Sequence, residues 1–484
     1  MAPMKAANTA KETAVFSVPP TSFTTTKAPT SKTELLKELQ QLIQIESVLD
    51  ENQASETSPF GPKPAEALAY MLKLGQEQGM TTKNVDHVAG HIEMGSGDEL
   101  LGILCHVDVV PAGDGWTHPP YSGTVSDGKL FGRGAIDDKG PTMAAWMAMK
   151  LVKDAGIALD KRVRLIIGTD EESGFRCMKR YFETEEMPTI GFAPDADFPI
   201  IHAEKGIAGV TISQASTEET GEIVSFTSGQ RTNMVPDEAS VTLNIVSENL
   251  QAQFEKFLQT EQLKGKIEVN ETTHITLYGK AAHAMEPDHG INAGIKLAEF
   301  LSTLSLSGQS KEFVGCVVDH FSGDSRGKKF SGAYRDDASG DTTYNAGIIE
   351  FSSSSGFAIQ VSMRYSVTAD SEKILKNIQQ HFKQSDVDVN MTSNSIPHYV
   401  EESDTLVQSL KAVYERQTGE PAELLAIGGG TYARVLKKGV AFGMLFPGEA
   451  DVAHQADEFV DIENLLKATA IYADAIVELA GKKE

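Results

Sequence analysis

His106-Val-Asp108 follows directly on the apolar run Leu101-Gly-Ile-Leu-Cys105. Residues two apart in a strand share a face, so both side chains are expected on one side of the strand's carboxyl end, where open α/β sheets place ligand sites. An imidazole with an acid in reach to orient it is a metal-ligand pairing. Gly132-Arg-Gly-Ala-Ile-Asp137-Asp138-Lys-Gly140 then sets two adjacent acids in a glycine-flanked turn that opens a helix. Like charges so close repel unless a cation neutralises them. The apolar run Arg162-Val-Arg-Leu-Ile-Ile167 leads into Asp170-Glu171-Glu172, and Pro194-Asp195-Ala-Asp197 repeats the theme. Far downstream, Pro447-Gly-Glu449-Ala-Asp451-Val-Ala-His454 adds a second imidazole among acids.

Any one of these acids reads equally well as solvated surface or a helix cap. Their recurrence after apolar strands favours a shared function, because parallel strand ends of one sheet face a common crevice. Carboxylates and two imidazoles without thiolates suit divalent ions such as Zn²⁺ or Mn²⁺. Two ions sharing a carboxylate neutralise that charge density, acidify a water and polarise a carbonyl, while an unligated Glu takes the proton. The chemistry expected is hydrolysis.

The elements that must position these residues follow from periodicity. Leu35, Leu36, Leu39, Leu42 and Ile43 recur at helical spacing after Ser31. Beyond them the runs at 101–105 and 162–167 alternate with an Ala- and Met-rich helix over 140–155, an α/β rhythm that implies a mostly parallel sheet. Near Ile207 the texture changes to alternating polar and apolar stretches such as 239–245 and 357–364, as in strands with one solvated face. A helical segment at 405–417, Gly428-Gly429-Gly430 and the apolar run Val440 to Phe446 restore the first texture. The expected fold is therefore an α/β, mostly parallel-sheet di-metal catalytic domain, residues 33–205 and 395–484, interrupted by an inserted α+β domain, residues 206–394. Residues 1–32, rich in Thr, Ser, Pro and Lys, are expected to form a disordered tail; they contain no Arg, which argues against an organelle transit peptide.

Composition bounds the partners. The 484 residues carry a formal net charge of −25, a field that repels nucleic acid and anionic lipid. No apolar run reaches the roughly 18 to 20 residues a membrane-spanning helix needs. Three widely spaced cysteines without a paired motif fit a reducing, cytoplasmic setting.

Taken together, Leu104-Cys-His106-Val-Asp108-Val-Val-Pro111, the 132–140 segment, Thr169-Asp-Glu171-Glu172-Ser-Gly174, Pro194-Asp195-Ala and Ala453-His454-Gln455 resemble, in order and residue type, metallopeptidase family M20 and its PepV-like dipeptidase branch. The resemblance covers about residues 33 to 480. It implies that Asp137 bridges two metal ions, Zn²⁺ in first place and Mn²⁺ or Co²⁺ as alternatives. His106 and Asp195 would complete one site, and Glu172 and His454 the other. Glu171 would be the general base and Asp108 would orient His106, with Asp138 and Asp170 as neighbours. It further implies a cis peptide between Asp137 and Asp138. The inserted α+β domain would be a lid, in which Asn233 and His283 would donate to the scissile carbonyl, and Arg364 would hold a substrate carboxylate together with Gly429, Gly430 and Thr431 of the glycine loop. The activity implied is a metallo-dipeptidase acting on a small peptide substrate, with a monomer expected and a homodimer as the alternative. An N-acyl amino-acid deacylase or desuccinylase of the same family shares the metal-binding segments, and a non-catalytic binding homologue is the rival from another class. The presence of Glu171, the size of the insert and the Asp137-Asp-Lys-Gly-Pro141 wording favour the dipeptidase.

Overall fold

The computed structural model describes residues 28–217, 219, 221–383 and 385–482. They form two compact units. One comprises the described residues through 202 with 400–425 and those from 431 on; the other comprises 203–399 and 426–430.

The first unit is built on a mixed sheet whose strands lie in the order Thr81–Val85, Ala89–Gly95, Arg162–Gly168, Leu100–His106, Ile190–Ala193, Gly439–Ala441. The last four of these are parallel, and Ala89–Gly95 runs antiparallel to both of its neighbours. Every residue of Leu100–His106 is buried, as expected of a strand covered on both faces. The helix Lys139–Asp154 is buried almost all round because Ala, Met and Gly leave it no polar face until Lys150. Its Trp146, 1% exposed, donates from Nε1 to Glu38 of the first helix at 3.0 Å. Truncating so large a core side chain costs roughly 3 to 5 kcal/mol. That first helix, Ala28–Ile43, starts earlier than the sequence suggests: residues 28–32, expected in the tail, are helical, and residues 1–27 lie outside the described residues.

The apolar run at 440–446 is not one strand. It divides into Gly439–Ala441 and Met444–Leu445 at Gly443, whose φ of +85° and packing against Phe198 leave no room for a side chain. An ideal Cβ at Gly443 would lie 2.3 Å from the Phe198 ring.

The second unit is an eight-stranded antiparallel sheet in the order Lys264–Val269, Thr273–Tyr278, Glu238–Leu243, Ile223–Ser228, Thr343–Ser352, Gly356–Tyr365, Gly206–Gln214, Asp388–Ser395. Strict alternation of buried and half-buried residues along Gly206–Gln214 matches a sheet with one covered face. Its core joins that face to the helices Glu248–Glu261, Ala293–Leu301, Gly308–Phe321 and Ser371–Phe382.

A buried histidine away from the acidic cluster yields a stability prediction. His91 is 4% exposed, and its Nδ1 lies 2.7 Å from the Tyr181 hydroxyl. Arg164 donates to that hydroxyl oxygen at 3.3 Å, which leaves the Tyr181 proton for His91 and keeps the imidazole neutral. Burial, reinforced by the Arg164 charge, holds the His91 pKa down at about 4. The unfolded chain then binds a proton that the folded chain does not, so stability falls as pH drops from about 6.5 to about 4, by up to about 3 kcal/mol. His91→Gln should flatten the dependence of Tm on pH in that window; equal slopes for variant and parent would contradict the assignment.

Candidate active site

The carboxyl ends of the parallel strands bring the acids together. His106 closes Leu100–His106, Thr169-Asp170-Glu171-Glu172 follows Arg162–Gly168, and Asp195 follows Ile190–Ala193. Asp137 and Asp138, joined by a cis peptide, lead into the helix Lys139–Asp154. His454 enters from a late loop with φ +63°.

Asp137 is the centre of this cluster. Its Oδ1 is 3.1 Å from His106 Nε2, and its Oδ2 is 2.9 Å from His454 Nε2. Asp195 Oδ2 lies 3.7 Å from the first imidazole, and Glu172 Oε1 lies 3.1 Å from the second. The two imidazoles thus meet on one carboxylate, that of Asp137. Ligand atoms of His106, Asp137 and Glu172 lie within 4.8 Å of one another, and so do those of His106, Glu171 and Asp195. Glu171 is therefore as close to the cluster as the acids expected to bind metal.

The surroundings fix the imidazole's chemistry. His106 Nδ1 donates to the backbone oxygen of Asp108 at 3.0 Å, which leaves Nε2 facing Asp137 and Asp195. Burial acts to lower the His106 pKa, but Asp108, Asp137 and Asp195 outweigh it and hold the imidazole well above its ordinary value. A buried imidazole nitrogen among carboxylates, in a cluster of oxygen and nitrogen donors, fits a divalent cation in place of that proton. The Asp108 carboxylate is 3.5 Å from Nδ1 and instead accepts from the Glu172 N–H at 3.1 Å. Orientation of His106 thus comes from the Asp108 backbone, while the Asp108 side chain fixes the next acidic turn.

Two acids have positions that their types alone did not disclose. Asp138 Oδ2 accepts from the His106 N–H at 2.9 Å and lies 3.2 Å from Thr142 Oγ1, anchoring the strand end. Asp170 accepts from Arg176 N, Nε and Nη2, at 3.0, 2.8 and 2.7 Å, and so closes the turn that carries Glu171 and Glu172. Tyr432 is a further unforeseen neighbour: its ring meets His106 edge-on at 6.1 Å, and its hydroxyl lies 2.9 Å from Cys177 Sγ.

The electrostatics of the cluster suit a cation. Burial pushes the Glu171 carboxyl well above the usual range, and burial beside Asp137 pushes Glu172 up to about 7. Hydrogen bonds to Asp137 and Glu172 push His454 up to about 11. For Asp137 burial acts upward, but contacts with both imidazoles outweigh it and hold the carboxyl below its ordinary range. Were His454 and Glu172 to ligate an ion, the protons they retain would have to leave. Affinity for Zn²⁺ should accordingly rise from about pH 6 to about pH 8, by roughly tenfold per unit for each proton displaced. Competition against a chromophoric chelator at several pH values measures this, and a pH-independent affinity would contradict it.

In the second unit, the expected substrate-binding residues lie near one another. Asn233 O accepts from the Ala284 N–H at 2.9 Å, and Met234 bridges His283. Asn345 holds that turn by donating to the oxygens of Thr232 and Met234, at 3.0 and 2.8 Å. Arg364 is buried, and its Nη1 donates to Gly428 O at 2.9 Å. Gly428 lies against Met285, two residues after His283; a Cβ there would come within 2.7 Å of Met285 Cβ. Gly429 and Gly430 belong to this unit, whereas Thr431 belongs to the first and caps a 3₁₀ turn by accepting from Ala433 N at 3.0 Å.

Imidazoles and carboxylates gathered at the strand ends of an α/β sheet are donors of the kind a metal-dependent hydrolase uses. Residues 102–478 match the model of peptidase family M20/M25/M40, and the chain belongs to that family. A Bacillus subtilis (strain 168) protein named "Putative dipeptidase YtjP" is 48% identical over 455 residues, covering 93% of this chain and 98% of the relative. "Putative dipeptidase SH1171" of Staphylococcus haemolyticus (strain JCSC1435) is 44% identical over 455 residues, covering 92% and 97%. Among solved structures, human carnosine dipeptidase 1 has the same fold, with a TM-score of 0.54 at 16% identity over 93% of this chain and 96% of that one. No helix among the described residues is long and apolar enough to cross a membrane.

Proposed function

We propose that this chain is a metal-dependent dipeptidase that hydrolyses the peptide bond of short peptides carrying a free C-terminal carboxylate. The observation that carries the reading is the Asp137 carboxylate, whose two oxygens face two imidazoles 3.1 and 2.9 Å away. Relatives at 48% and 44% identity that bear dipeptidase names support the substrate class.

His106, Asp137 and Asp195 would hold one ion, and Asp137, Glu172 and His454 the other. The oxygen and nitrogen donors suit Zn²⁺ first, with Mn²⁺ or Co²⁺ as alternatives. Such ions supply Lewis acidity toward the scissile carbonyl and acidify the attacking water. Glu171 takes the proton of that water as general base and passes it to the departing amine; the burial that raises its pKa brings it toward working pH. Asp108 keeps the His106 lone pair directed inward through its backbone oxygen. Asn233 and His283 donate to the carbonyl oxygen as it gains charge. Arg364 recognises the terminal carboxylate with a planar fork, and Gly429, Gly430 and Thr431 supply backbone and hydroxyl groups beside it. Three buried thiols without a disulfide accord with a reducing compartment, so we place the enzyme in the cytoplasm.

Chelation followed by reconstitution tests this reading. Chelated protein should lose dipeptide hydrolysis, and two equivalents of Zn²⁺ or Mn²⁺ per chain should restore it. Full activity after chelation, or complete restoration at one equivalent, would contradict the shared-carboxylate arrangement.

A further inference from the structure

We infer that Glu458, paired with Arg133, is a positioning residue for Asp137 and His454, and thereby sets the affinity of the centre for its ions. The inference rests on the metal-centre reading above and adds to it a pair of residues that bind no metal.

Glu458 and Arg133 are both fully buried, at 0% and 1% exposure. Glu458 Oε1 accepts from the backbone N–H groups of Ile136 and Asp137 at 3.0 and 3.3 Å. Its Oε2 accepts from Arg133 Nη1 at 2.5 Å, and its backbone oxygen accepts from Gly132 N at 2.9 Å. One residue thus binds the start, middle and end of the turn that carries the shared carboxylate. Arg133 continues the link: its Nη2 donates to Ala112 O at 3.2 Å and Pro111 O at 3.4 Å, in the segment that follows His106 and Asp108. Trp116 covers the guanidinium at 5.3 Å and donates to the same Ala112 oxygen at 2.9 Å.

The third segment is the one bearing His454, four positions before Glu458 in the chain. Its neighbour Asp457 accepts from Thr117 N and His118 N at 2.7 and 3.2 Å, and Phe459–Asp461 pairs antiparallel with Lys129–Phe131. The loop is consequently pinned on both sides of Glu458. Three ligand-bearing segments converge on one buried ion pair.

Stability alone is a weak reason for such a pair, because well-packed apolar replacements of buried ion pairs are often neutral or stabilising. An apolar residue at 458 could not accept from the Asp137 N–H, and the carboxylate of Asp137 is carried by that backbone. Residues that orient metal ligands without touching the ion typically affect metal affinity by about 10- to 100-fold.

The test compares Zn²⁺ affinity by competition with a chromophoric chelator in parent, Glu458→Ala, Glu458→Gln and Asp137→Asn proteins, with Tm of each metal-free protein recorded alongside. Glu458→Ala should weaken Zn²⁺ binding by about 10- to 100-fold. Glu458→Gln keeps the shape and one acceptor oxygen but sets an amide against Arg133, and should weaken it by about 3- to 10-fold, partway to that loss. If the Ala variant does not fold, the Gln variant decides. A folded Ala or Gln variant with a lowered Tm and parental Zn²⁺ affinity would show a purely structural role and overturn the inference. Asp137→Asn separates this failure from that of the underlying reading: undiminished binding of two ions by Asp137→Asn would refute the metal centre itself, whereas loss there with none at Glu458 refutes only the positioning role.

Discussion

Glu171→Ala is expected to lower kcat on dipeptides by 10² or more while the metal content stays near two per chain. The expectation follows from its place and its environment. A Glu171 oxygen lies within 4.8 Å of ligand atoms of His106 and Asp195, whereas the Asp137 carboxylate meets both imidazoles. Burial raises its pKa, as suits a group that must accept a proton from water and later release it to an amine. Removing a base that binds no ion leaves the ions in place, so activity and metal content should separate. Glu171→Gln should behave alike, since an amide keeps the shape but cannot take the proton. Loss of an ion from either variant would move Glu171 into the ligand set and require another base.

Arg364→Ala is expected to lower kcat/KM on dipeptides by 10² or more without altering metal binding. A dipeptidase must recognise both ends of its substrate, and a guanidinium matches a carboxylate with two parallel donors. Arg364 is held in orientation by Gly428 O on Nη1 and Ser362 Oγ on Nε, at 2.9 and 3.2 Å. A lysine cannot reproduce those directed contacts while presenting a planar fork, so Arg364→Lys should also be impaired. Truncating one partner of a buried charge pair costs roughly 2 to 5 kcal/mol, which spans the predicted loss. A dipeptide amide lacks the charge that Arg364 would meet and should be much less affected by the substitution. Equal losses on acid and amide would mean that Arg364 supports the fold of its unit instead of binding substrate.

Side-chain type and strand position made the acidic cluster legible in the sequence. His106, Glu171, Glu172 and Asp195 are residues whose chemistry is unusual after an apolar run, and parallel strands bring such ends together, whereas Asp137 and His454 lie in loops and were legible through the resemblance to family M20. The main sheets were legible for the same reason, because continuous and alternating apolar patterns distinguish strands covered on two faces from those covered on one. What stayed hidden depends on partners distant in the chain. The five residues 426–430 group with the second unit, but so short a glycine-rich stretch has no periodicity to announce it. The break at Gly443 is set by Phe198, some 245 positions away, and cannot be seen in the run itself. Asp108 acts on His106 through a backbone oxygen, which no residue type encodes. Glu458 looks like any acid in a polar loop until Arg133 and the Asp137 N–H are found against it.

The most direct test of the account compares kcat/KM of the Zn²⁺- or Mn²⁺-loaded enzyme on a dipeptide with free amine and free carboxylate against the corresponding N-acetylated and N-succinylated amino acids. The account predicts that the dipeptide is turned over at least 10² times more efficiently than either acylated compound, and that the activity disappears in Asp137→Asn. Faster turnover of an acylated amino acid than of the dipeptide, with the same dependence on Asp137, would show that the metal centre serves a deacylase and contradict the dipeptidase assignment.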